Sequence, residues 1–378
     1  MKLTARALNR ATLDRQLLLR REPLDVAEAV RRVMALQAQQ TASPYLTMWN
    51  RVTDLDPADL DAAFAGYTVV RGTMMRMTLH TVHADDYPAF RDAIEPTMYA
   101  THLDGRFTPA GLTVEAGRTL VGDLLEFAAE PRTAEEMKGW LEPRLGGLSA
   151  AGVWAILRSY TPLLRVPTGG PWSFTARVSC VAPSPRPTLD LDAAAGALRV
   201  LTRRYLEAFG PASVADVAQF ALVQQARVKG ALRAMDGEVE QVEGPDGKVL
   251  WDLAGAPRPS EDTPAPPRLM AMWDNTLLAH AGRDRLLPPA YRAFVIRSNG
   301  DVLPTLLVDG YVAGVWRTVE GGIEAAAFHP LPDEAWEGLA AEAEGLVALL
   351  AEREPHPYRR YDRWWAKLPE LETTLLPG

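Results

Sequence analysis

The sequence predicts an α+β fold that is mainly helical, with winged helix-turn-helix units in tandem and β-hairpins near the C-terminus. Two observations predict this fold. The order helix, turn, helix, strand, glycine-containing turn, strand occurs in residues 133–178 and again in residues 213–253. Further along the chain, an Asn-Gly and an Asp-Gly dipeptide lie between strand-like runs, and these dipeptides are strong short-range signals for a β-hairpin.

The composition is that of a globular protein. The 378 residues suffice for two or three domains, and 47% hydrophobic with 23% charged residues excludes wholesale disorder. The net charge of −8 excludes a histone-like coat but not a local basic groove. One cysteine, Cys180, excludes an internal disulfide framework. Because no signal-peptide pattern and no apolar span of ~18 residues occurs, we expect a cytoplasmic protein without membrane association.

We predict the first unit in residues 1–110. Helices are predicted from Asp25 to Gln37, from Ser43 to Arg51, and from the Asp56-Pro57 start to Gly66, since Asp and Ser followed by Pro are typical of helix starts. Two strands should follow, Thr68 to Arg71 and Met75 to Val82. Alternation along the second strand places Arg76, Thr78 and His80 on one face.

The second and third units are predicted in residues 111–188 and 189–256. Both contain a pair with capping-box spacing, Thr133 with Glu136 and Ser213 with Asp216. The predicted second-unit elements are a helix to Leu141, a helix from Ser149 to Tyr160, and strands Leu163 to Val166 and Trp172 to Val178. The predicted third-unit elements are helices Leu191 to Phe209, Ser213 to Ala221 and Gln224 to Met235, strands Val239 to Val242 and Lys248 to Leu253, and the turn Gly244-Pro245-Asp246-Gly247.

A proline-rich linker, Gly255 to Arg268, separates these units from a fourth block in residues 268–378. The sequence leaves open whether this block is another wing or an added barrel. Its predicted strands are Ala293 to Arg297, Val302 to Val308, Tyr311 to Arg317 and Gly322 to Phe328. A helix from Asp333 to Arg353 and a basic, aromatic segment from Pro355 to Trp365 follow.

The sequence lacks several familiar catalytic patterns. It has no Walker phosphate loop, no Rossmann fingerprint and no Gly-x-Ser-x-Gly elbow. The six histidines are scattered, so we expect neither a metal nor another cofactor.

One local feature, the position of Gln37, indicates a candidate site. Steps of four, three and four residues from Val26 place Gln37 on the apolar stripe of its predicted helix, where a buried amide is costly unless it is hydrogen-bonded.

Spacing alone does not give this glutamine a function. Gln39 lies about 200° further round an ideal helix, so the two side chains face one site only if the helix ends near Ala38. The alternative is a polar helix end that caps its own carbonyls. Leu36-Gln37-Ala38-Gln39, with Pro44-Tyr45-Leu46 and Trp49, nevertheless resembles the N-terminal motif of the winged-helix DNA glycosylases of the AlkZ and YcaQ type.

Further segments resemble the same family and cover nearly the whole chain in order. They are Met74 to His80, Tyr205 to Ala212, Trp273 to Leu278, and Pro304 to Gly310 with Trp316-Arg317. The stretch Met74-Met75-Arg76-Met77 departs from the pattern, since tryptophan and glycine are expected near the arginine. This departure concerns the shape of the site and not the class of protein.

The resemblance implies three winged-helix units around a concave DNA-binding surface, with no cofactor. It implies excision of N7-alkylated bases from double-stranded DNA. The Gln-x-Gln form of the motif points to the AlkZ branch, which acts on bulky adducts and interstrand crosslinks, with Gln37 and Gln39 as catalytic residues. Neither glutamine is a general base at neutral pH, so we expect them to position water beside a base that is already cationic. No lysine is placed as a Schiff-base nucleophile, so we expect a monofunctional enzyme. A monomer that acts in DNA repair or self-resistance fits the resemblance to these glycosylases.

Basic and polar residues of the predicted units are candidates for DNA contacts, since winged helices place a helix or a wing in a groove. The candidates are Arg71, Arg76, His80, Arg158, Lys229, Arg233, Asn275, Arg285 and Asn299. Asn275 and Arg285 lie in or near a segment that resembles the family. A structural histidine is the alternative for His80, and a solvated surface position is the alternative for the others.

Two other classes of function remain open at this stage. A winged-helix transcriptional regulator would explain the repeated units without any chemistry, but the sequence contains no heptad stretch for dimerisation. A protein-interaction scaffold would fit the acidic balance but not the repeated DNA-binding architecture.

Overall fold

Three antiparallel sheets and the helices packed against them make up the computed structural model, which describes residues 2–100, 110–245 and 247–378. The predicted turn residue Asp246 lies outside these ranges. The α-helices of the described residues are Ala5–Arg15 (α1), Val26–Arg32 (α2), Ser43–Trp49 (α3), Pro57–Ala65 (α4), Tyr87–Ala100 (α5), Val114–Phe127 (α6), Ala134–Leu141 (α7), Ala150–Tyr160 (α8), Ala194–Phe209 (α9), Val214–Ala221 (α10), Gln225–Arg233 (α11), Asn275–Leu278 (α12), Arg292–Val295 (α13), Asp333–Ala351 (α14) and Asp362–Trp365 (α15). Short 3₁₀ turns are Met75–Met77, Glu142–Arg144, Pro289–Tyr291 and Arg359–Tyr361.

The strands form sheets of six, two and five members. The six-stranded sheet contains, in spatial order, Leu36–Gln37 (β1), Leu79–His83 (β3), Val69–Thr73 (β2), Leu164–Arg165 (β5), Ser179–Val181 (β6) and Arg132–Thr133 (β4). Val239–Glu243 (β7) and Val249–Leu253 (β8) form a hairpin. The five-stranded sheet contains, in spatial order, Glu372–Pro377 (β13), Gly322–Ala327 (β12), Tyr311–Val319 (β11), Thr305–Val308 (β10) and Arg268–Leu269 (β9).

The six-stranded sheet joins the first predicted unit to the second. Gly72 of β2 pairs with Leu164 of β5. A Cβ atom at Gly72 would lie 3.2 Å from the Leu163 carbonyl oxygen and 3.1 Å from the Tyr87 ring. The two backbones therefore approach closely because residue 72 has no side chain.

Both predicted capping boxes are confirmed. The backbone N–H of Glu136 donates to Thr133 Oγ1 at 3.2 Å, and the Glu136 carboxylate accepts from the Thr133 backbone N–H at 2.7 Å. Ser213 and Asp216 repeat the arrangement at 3.2 and 2.8 Å. Each box starts a helix that is followed by a second helix and then by strands, which is the predicted element order.

The predicted helix from Asp25 to Gln37 is too long. Asp25 does cap the helix, but α2 ends at Arg32, and Met34 takes a left-handed φ of 73° that a helix cannot accommodate. Leu36 and Gln37 form strand β1 instead, paired with Thr81 and His80 of β3. The sheet partner thus overrides the helical spacing of the apolar residues.

Three predicted strands also differ from the structure. Met75 to Met77 form a 3₁₀ turn, so β3 starts only at Leu79. Trp172 to Val178 is not a strand, because Trp172 and Phe174 are buried against Tyr45 and Phe64, and β6 begins later, at Ser179. The predicted strand Ala293 to Arg297 is largely the short helix α13.

Two large hydrophobic clusters fill the described protein and meet at β1. One contains residues of the N-terminal 13–64 region together with the five-stranded sheet and helix α14, and Leu36 belongs to it. The other contains residues of helices α5 to α11, and Met34 and Ala35 belong to it. Strand β1 therefore lies where the two clusters adjoin. No helix in the described ranges is long and apolar enough to cross a bilayer.

The Asp309-Gly310 turn between β10 and β11 is confirmed and provides a test of the packing. Gly310 has φ +79°, and a Cβ there would meet Leu13 Cδ1 at 2.5 Å and Asn9 Oδ1 at 2.6 Å. Gly300 has φ +85° and open space around it. We expect Gly300→Ala to lower the free energy of unfolding by about 1–2 kcal/mol, and Gly310→Ala to lower it by a further 1–3 kcal/mol, roughly, through the clash.

Urea unfolding of both variants and the wild type measures these losses. Equal losses for the two substitutions would show that the turn does not pack tightly on helix α1.

Candidate active site

The backbone of the Gln37-Ala38-Gln39 motif is fixed on both sides. Gln37 pairs with His80 across the sheet, and the Ala38 N–H donates to the Leu79 carbonyl at 2.8 Å. The Ala38 carbonyl accepts from Arg71 Nε at 3.1 Å and Arg71 Nη2 at 2.7 Å. Strand β1 ends at Gln37 and Gln39 lies in a bend, so the helix that would separate the two side chains by about 200° is absent.

The Gln37 side chain is 6% exposed and its orientation is set by Arg76. Its Oε1 accepts from Arg76 Nη2 at 2.6 Å. Among the described residues, nothing accepts a hydrogen bond from the Gln37 amide nitrogen. The carboxamide therefore directs its oxygen to the guanidinium and keeps its two N–H donors for another group.

Asn275 completes the support for Arg76. Its Oδ1 accepts from Arg76 Nη2 at 2.8 Å, and its Nδ2 donates to the Ala35 carbonyl at 2.7 Å. Neighbouring Asp274 caps helix α12 and pairs with buried Arg51 at 3.0 Å. This anchoring holds Asn275 against the strand that carries Gln37.

Arg76 is charged but has no carboxylate among its hydrogen-bond partners in the described residues. Its guanidinium lies 4.9 Å from the centre of the Phe220 ring, a cation–π contact. Burial, together with the charge of Arg283, lowers the pKa of Arg76 to about 9. The group remains protonated at neutral pH and polarises the Gln37 amide.

His80 is held as a neutral ring. Its Nδ1 lies 3.0 Å from the Thr78 carbonyl and so carries the proton, which leaves Nε2 to accept from Arg76 Nη2 at 3.3 Å. Burial, and secondly the charge of Arg76, lowers the pKa of His80 to about 3. At neutral pH the His80 ring is therefore uncharged, and both of its nitrogens face groups of the protein.

Gln39 differs from Gln37 in its surroundings. It is exposed, and its Oε1 accepts from the Leu79 backbone N–H at 3.4 Å, a long contact. The motif thus presents one buried, fixed amide and one accessible, weakly held amide. Within the described ranges, no three His, Cys, Asp or Glu side chains are grouped as metal ligands.

The structure separates the other predicted site residues into two groups. Arg71 is buried and donates to the Ala38 carbonyl, and half-buried Arg285 donates from Nη1 to the Pro211 carbonyl at 2.9 Å, so both residues have partners within the protein. The exposed members are Arg158, Lys229, Arg233 and Asn299. None of these four joins the network of Gln37, Arg76, His80 and Asn275.

The sequence did not predict that an aromatic ring, Phe220, packs against this network. Phe220 lies under both Arg76 and His80, and its ring centre is 6.5 Å from that of His80. No sequence pattern near Arg76 or His80 indicates this contact, because Phe220 lies on a helix about 140 residues further along the chain. Arg76 and Asn275 were singled out as DNA contacts, whereas the structure turns both inward to Gln37 and its strand.

One comparison with known proteins shows the family of this chain, and another shows its fold. A family model described as "DNA glycosylase AlkZ-like" matches residues 30–349, a range that contains the glutamine motif and the whole network around it. Among solved structures, the Streptomyces sahachiroi DNA glycosylase AlkZ is similar with a TM-score of 0.78 and 20% identity, over 94% of this chain and 99% of that chain. This likeness is one of fold. A search of curated proteins found no match.

The neutral state of His80 makes the stability depend on pH in a defined direction. Folded His80 stays unprotonated down to about pH 3, whereas an unfolded histidine takes up a proton below about pH 6.5. The unfolded state binds more protons between these values, so stability is lost as the pH falls below 6.5. The loss from this residue approaches 1.4 kcal/mol per pH unit, roughly.

We expect His80→Gln to show a shallower loss of stability than the wild type between about pH 6 and pH 4. Urea unfolding across this range measures it. His329→Gln removes an exposed histidine and should keep the wild-type slope. An unchanged slope in His80→Gln would mean that His80 is protonated in the folded protein.

Proposed function

Because this chain belongs to the AlkZ-like DNA glycosylase family, we propose that it hydrolyses the N-glycosidic bond of guanines that are cationic through N7 alkylation. Membership of the family makes the chain a DNA glycosylase, which decides between the enzyme and the regulator or scaffold that the sequence left open. The observation that carries the substrate proposal is the set of groups around Gln37. Arg76, Asn275 and neutral His80 include no acid that could protonate a neutral base.

An N7-alkylated guanine does not need such an acid. When the bond between C1′ and N9 breaks, its electron pair moves to the base, which leaves as a neutral molecule. Water then forms the new bond to C1′ of the oxocarbenium-like sugar and loses a proton to solvent. The protein must position the water and stabilise the developing charge, and fixed dipoles suffice for this task.

The two glutamines divide these tasks in our proposal. Gln37, whose oxygen is bound to Arg76, donates an N–H to the oxygen of the water. Gln39, which is exposed, directs its carbonyl toward the water proton and the sugar. The positive charge of Arg76 polarises the Gln37 amide through its oxygen, and this makes the amide N–H groups stronger hydrogen-bond donors.

The proposal also covers the arrangement of the winged-helix units and the range of substrates. We assign residues 133–181 and 213–253 as winged-helix units, with a third unit in the N-terminal region, around a concave surface for double-stranded DNA. A crosslinked guanine cannot rotate out of the duplex, so activity on crosslinks and bulky adducts requires an open site. Exposure of Gln39 supports such a site. We further propose a monomeric, monofunctional enzyme.

The first test is single-turnover release of N7-methylguanine from a duplex oligonucleotide. We expect release by the wild type, and a loss of about 100-fold or more in Gln37→Ala and in Gln39→Ala, since one fixed dipole is typically worth that much. Gln241→Ala removes an exposed glutamine from strand β7 and should release the base at the wild-type rate.

Several outcomes would contradict the proposal. Failure to release either N7-methylguanine or a bulky N7 adduct, with DNA still bound, would overturn the substrate class. Release of uracil or hypoxanthine would show that the enzyme does not depend on a cationic base. Release that survives both glutamine substitutions would leave a glycosylase but remove the mechanism.

The role of Arg76 is tested by a double-mutant cycle. If Arg76 acts by orienting Gln37, Arg76→Met should slow release by roughly 10- to 100-fold in the wild type, but should have no further effect in Gln37→Ala. Single-turnover rates of the four proteins give the coupling. Arg76→Met that slows both backgrounds equally would assign Arg76 a general structural role instead.

A further inference from the structure

The basic, aromatic segment near the C-terminus has no role in the mechanism above. We define the tail patch as residues 356–367, which include Arg359, Arg360, Arg363 and Lys367 but only one acidic residue, Asp362. A surplus of three positive charges in twelve residues contrasts with the net charge of −8 for the whole chain. The family model ends at residue 349, so the tail patch lies outside the region that it matches.

The tail patch is attached to the residue that follows the glutamine motif. With its amide oriented so that the oxygen faces these donors, Gln40 accepts from Arg360 Nε at 2.9 Å and from the Tyr361 hydroxyl at 3.1 Å. The Tyr358 hydroxyl lies 2.9 Å from Ser43 Oγ. Hydrogen bonds therefore hold the tail patch against Gln40, the residue that follows Gln39 in the chain.

Two charges of the patch and one from outside it, Arg297, lie around Trp364. Lys367 Nζ lies 4.5 Å from the centre of a Trp364 ring, and the guanidinium carbons of Arg363 and Arg297 lie at 5.2 and 5.5 Å. The indole N–H donates to Asp301 Oδ2 at 2.7 Å, which fixes the ring. Three like charges thus surround one rigid aromatic side chain.

These charges are mostly not neutralised within the protein. In the part of the chain that the structure describes, Arg359, Arg360 and Lys367 form no ion pair within 4.0 Å, and Arg363 reaches Asp301 only at 3.7 Å. Arg359, Arg360, Arg363 and Lys367 are all exposed. Gathering like charges costs energy that a polyanion relieves, so the arrangement favours a ligand with regularly spaced negative charges.

We propose that the tail patch binds the sugar–phosphate backbone of DNA immediately beside the base that is excised. The position beside the lesion rests on the function proposed above for Gln37 and Gln39, whereas the contact with DNA phosphates does not. Exposed Asn299 donates from Nδ2 to Asp301 Oδ2 at 2.9 Å, so the Asn299-Gly300 turn continues the same surface. The patch supplies the local basic surface that an acidic protein needs to hold DNA.

The test is the salt dependence of binding to a short undamaged duplex, measured by fluorescence anisotropy. Each phosphate contact contributes about −0.9 to the slope of log K against log salt. The triple variant Arg359→Gln, Arg363→Gln, Lys367→Gln should therefore have a slope shallower by about 2–3, and should bind about tenfold or more weakly at low salt. Arg359→Lys with Arg363→Lys should keep the wild-type slope, because phosphate contacts require the charge and not its shape.

A matched control removes three exposed charges elsewhere. Lys2, Arg20 and Arg186 pair with Glu243, Glu22 and Glu126, and replacing all three by Gln changes the net charge equally. This control should keep the wild-type slope. An unchanged slope in the tail-patch variant, or an equal change in the control, would overturn the proposal and leave the patch for a partner other than DNA.

A second experiment tests the position on DNA. An iron chelate attached to Lys367→Cys should cleave a duplex that carries N7-methylguanine within a few nucleotides of the lesion; native Cys180 is buried and so escapes labelling. Cleavage spread evenly along the duplex would overturn the position while keeping the phosphate contact. If the wild type releases no alkylated base, the function proposed above fails, yet the salt slopes still decide whether the tail patch binds DNA.

Discussion

The arrangement of the site depends on one buried cation, the guanidinium of Arg76. A buried charge without a counterion is costly. Here Arg76 Nη2 faces three neutral acceptors and the guanidinium lies over an aromatic ring, whereas Nη1 has no hydrogen-bond partner in the described residues. Those acceptors come from strands β1 and β3 and from helix α12, so the charge draws together parts of the chain that are far apart in sequence. Gln37 is oriented as one member of this shell, and its orientation follows from the need to satisfy the cation.

The same need explains which parts of the fold the sequence predicted. Capping boxes, the Asp56-Pro57 helix start and the Asp309-Gly310 hairpin are local arrangements, in which neighbouring residues satisfy each other's backbone groups. They are confirmed. The segment at Gln37 was predicted as a helix because its apolar spacing is helical, but its hydrogen-bond partners lie on β3, more than 40 residues away. Trp172 was likewise predicted in a strand, but it packs on Tyr45, which is distant in sequence.

The sequence identified several residues of the site but not how their side chains contact one another. Resemblance to a family brought Gln37 and Gln39 to attention, while spacing alone could not distinguish them from a polar helix end. Arg76 and Asn275 were picked out by type, since basic and amide side chains are common DNA contacts, and the sequence does not record that they face each other. Their inward direction results from the left-handed backbone at Arg76 and from the cap at Asp274, which only the folded chain shows.

The shared hydrophobic cluster that joins residues 13–64 to the five-stranded sheet has a consequence for synthesis on the ribosome. A nascent chain that has produced the glutamine motif still lacks Asn275, the sheet that covers Leu36, and strand β13, which ends at Pro377. Contacts between such distant segments form late, because loop closure must precede them. The network around Gln37 is thus assembled only after residues 275–377 have been synthesised, and shorter products carry Gln37 and Gln39 without the groups that orient Gln37.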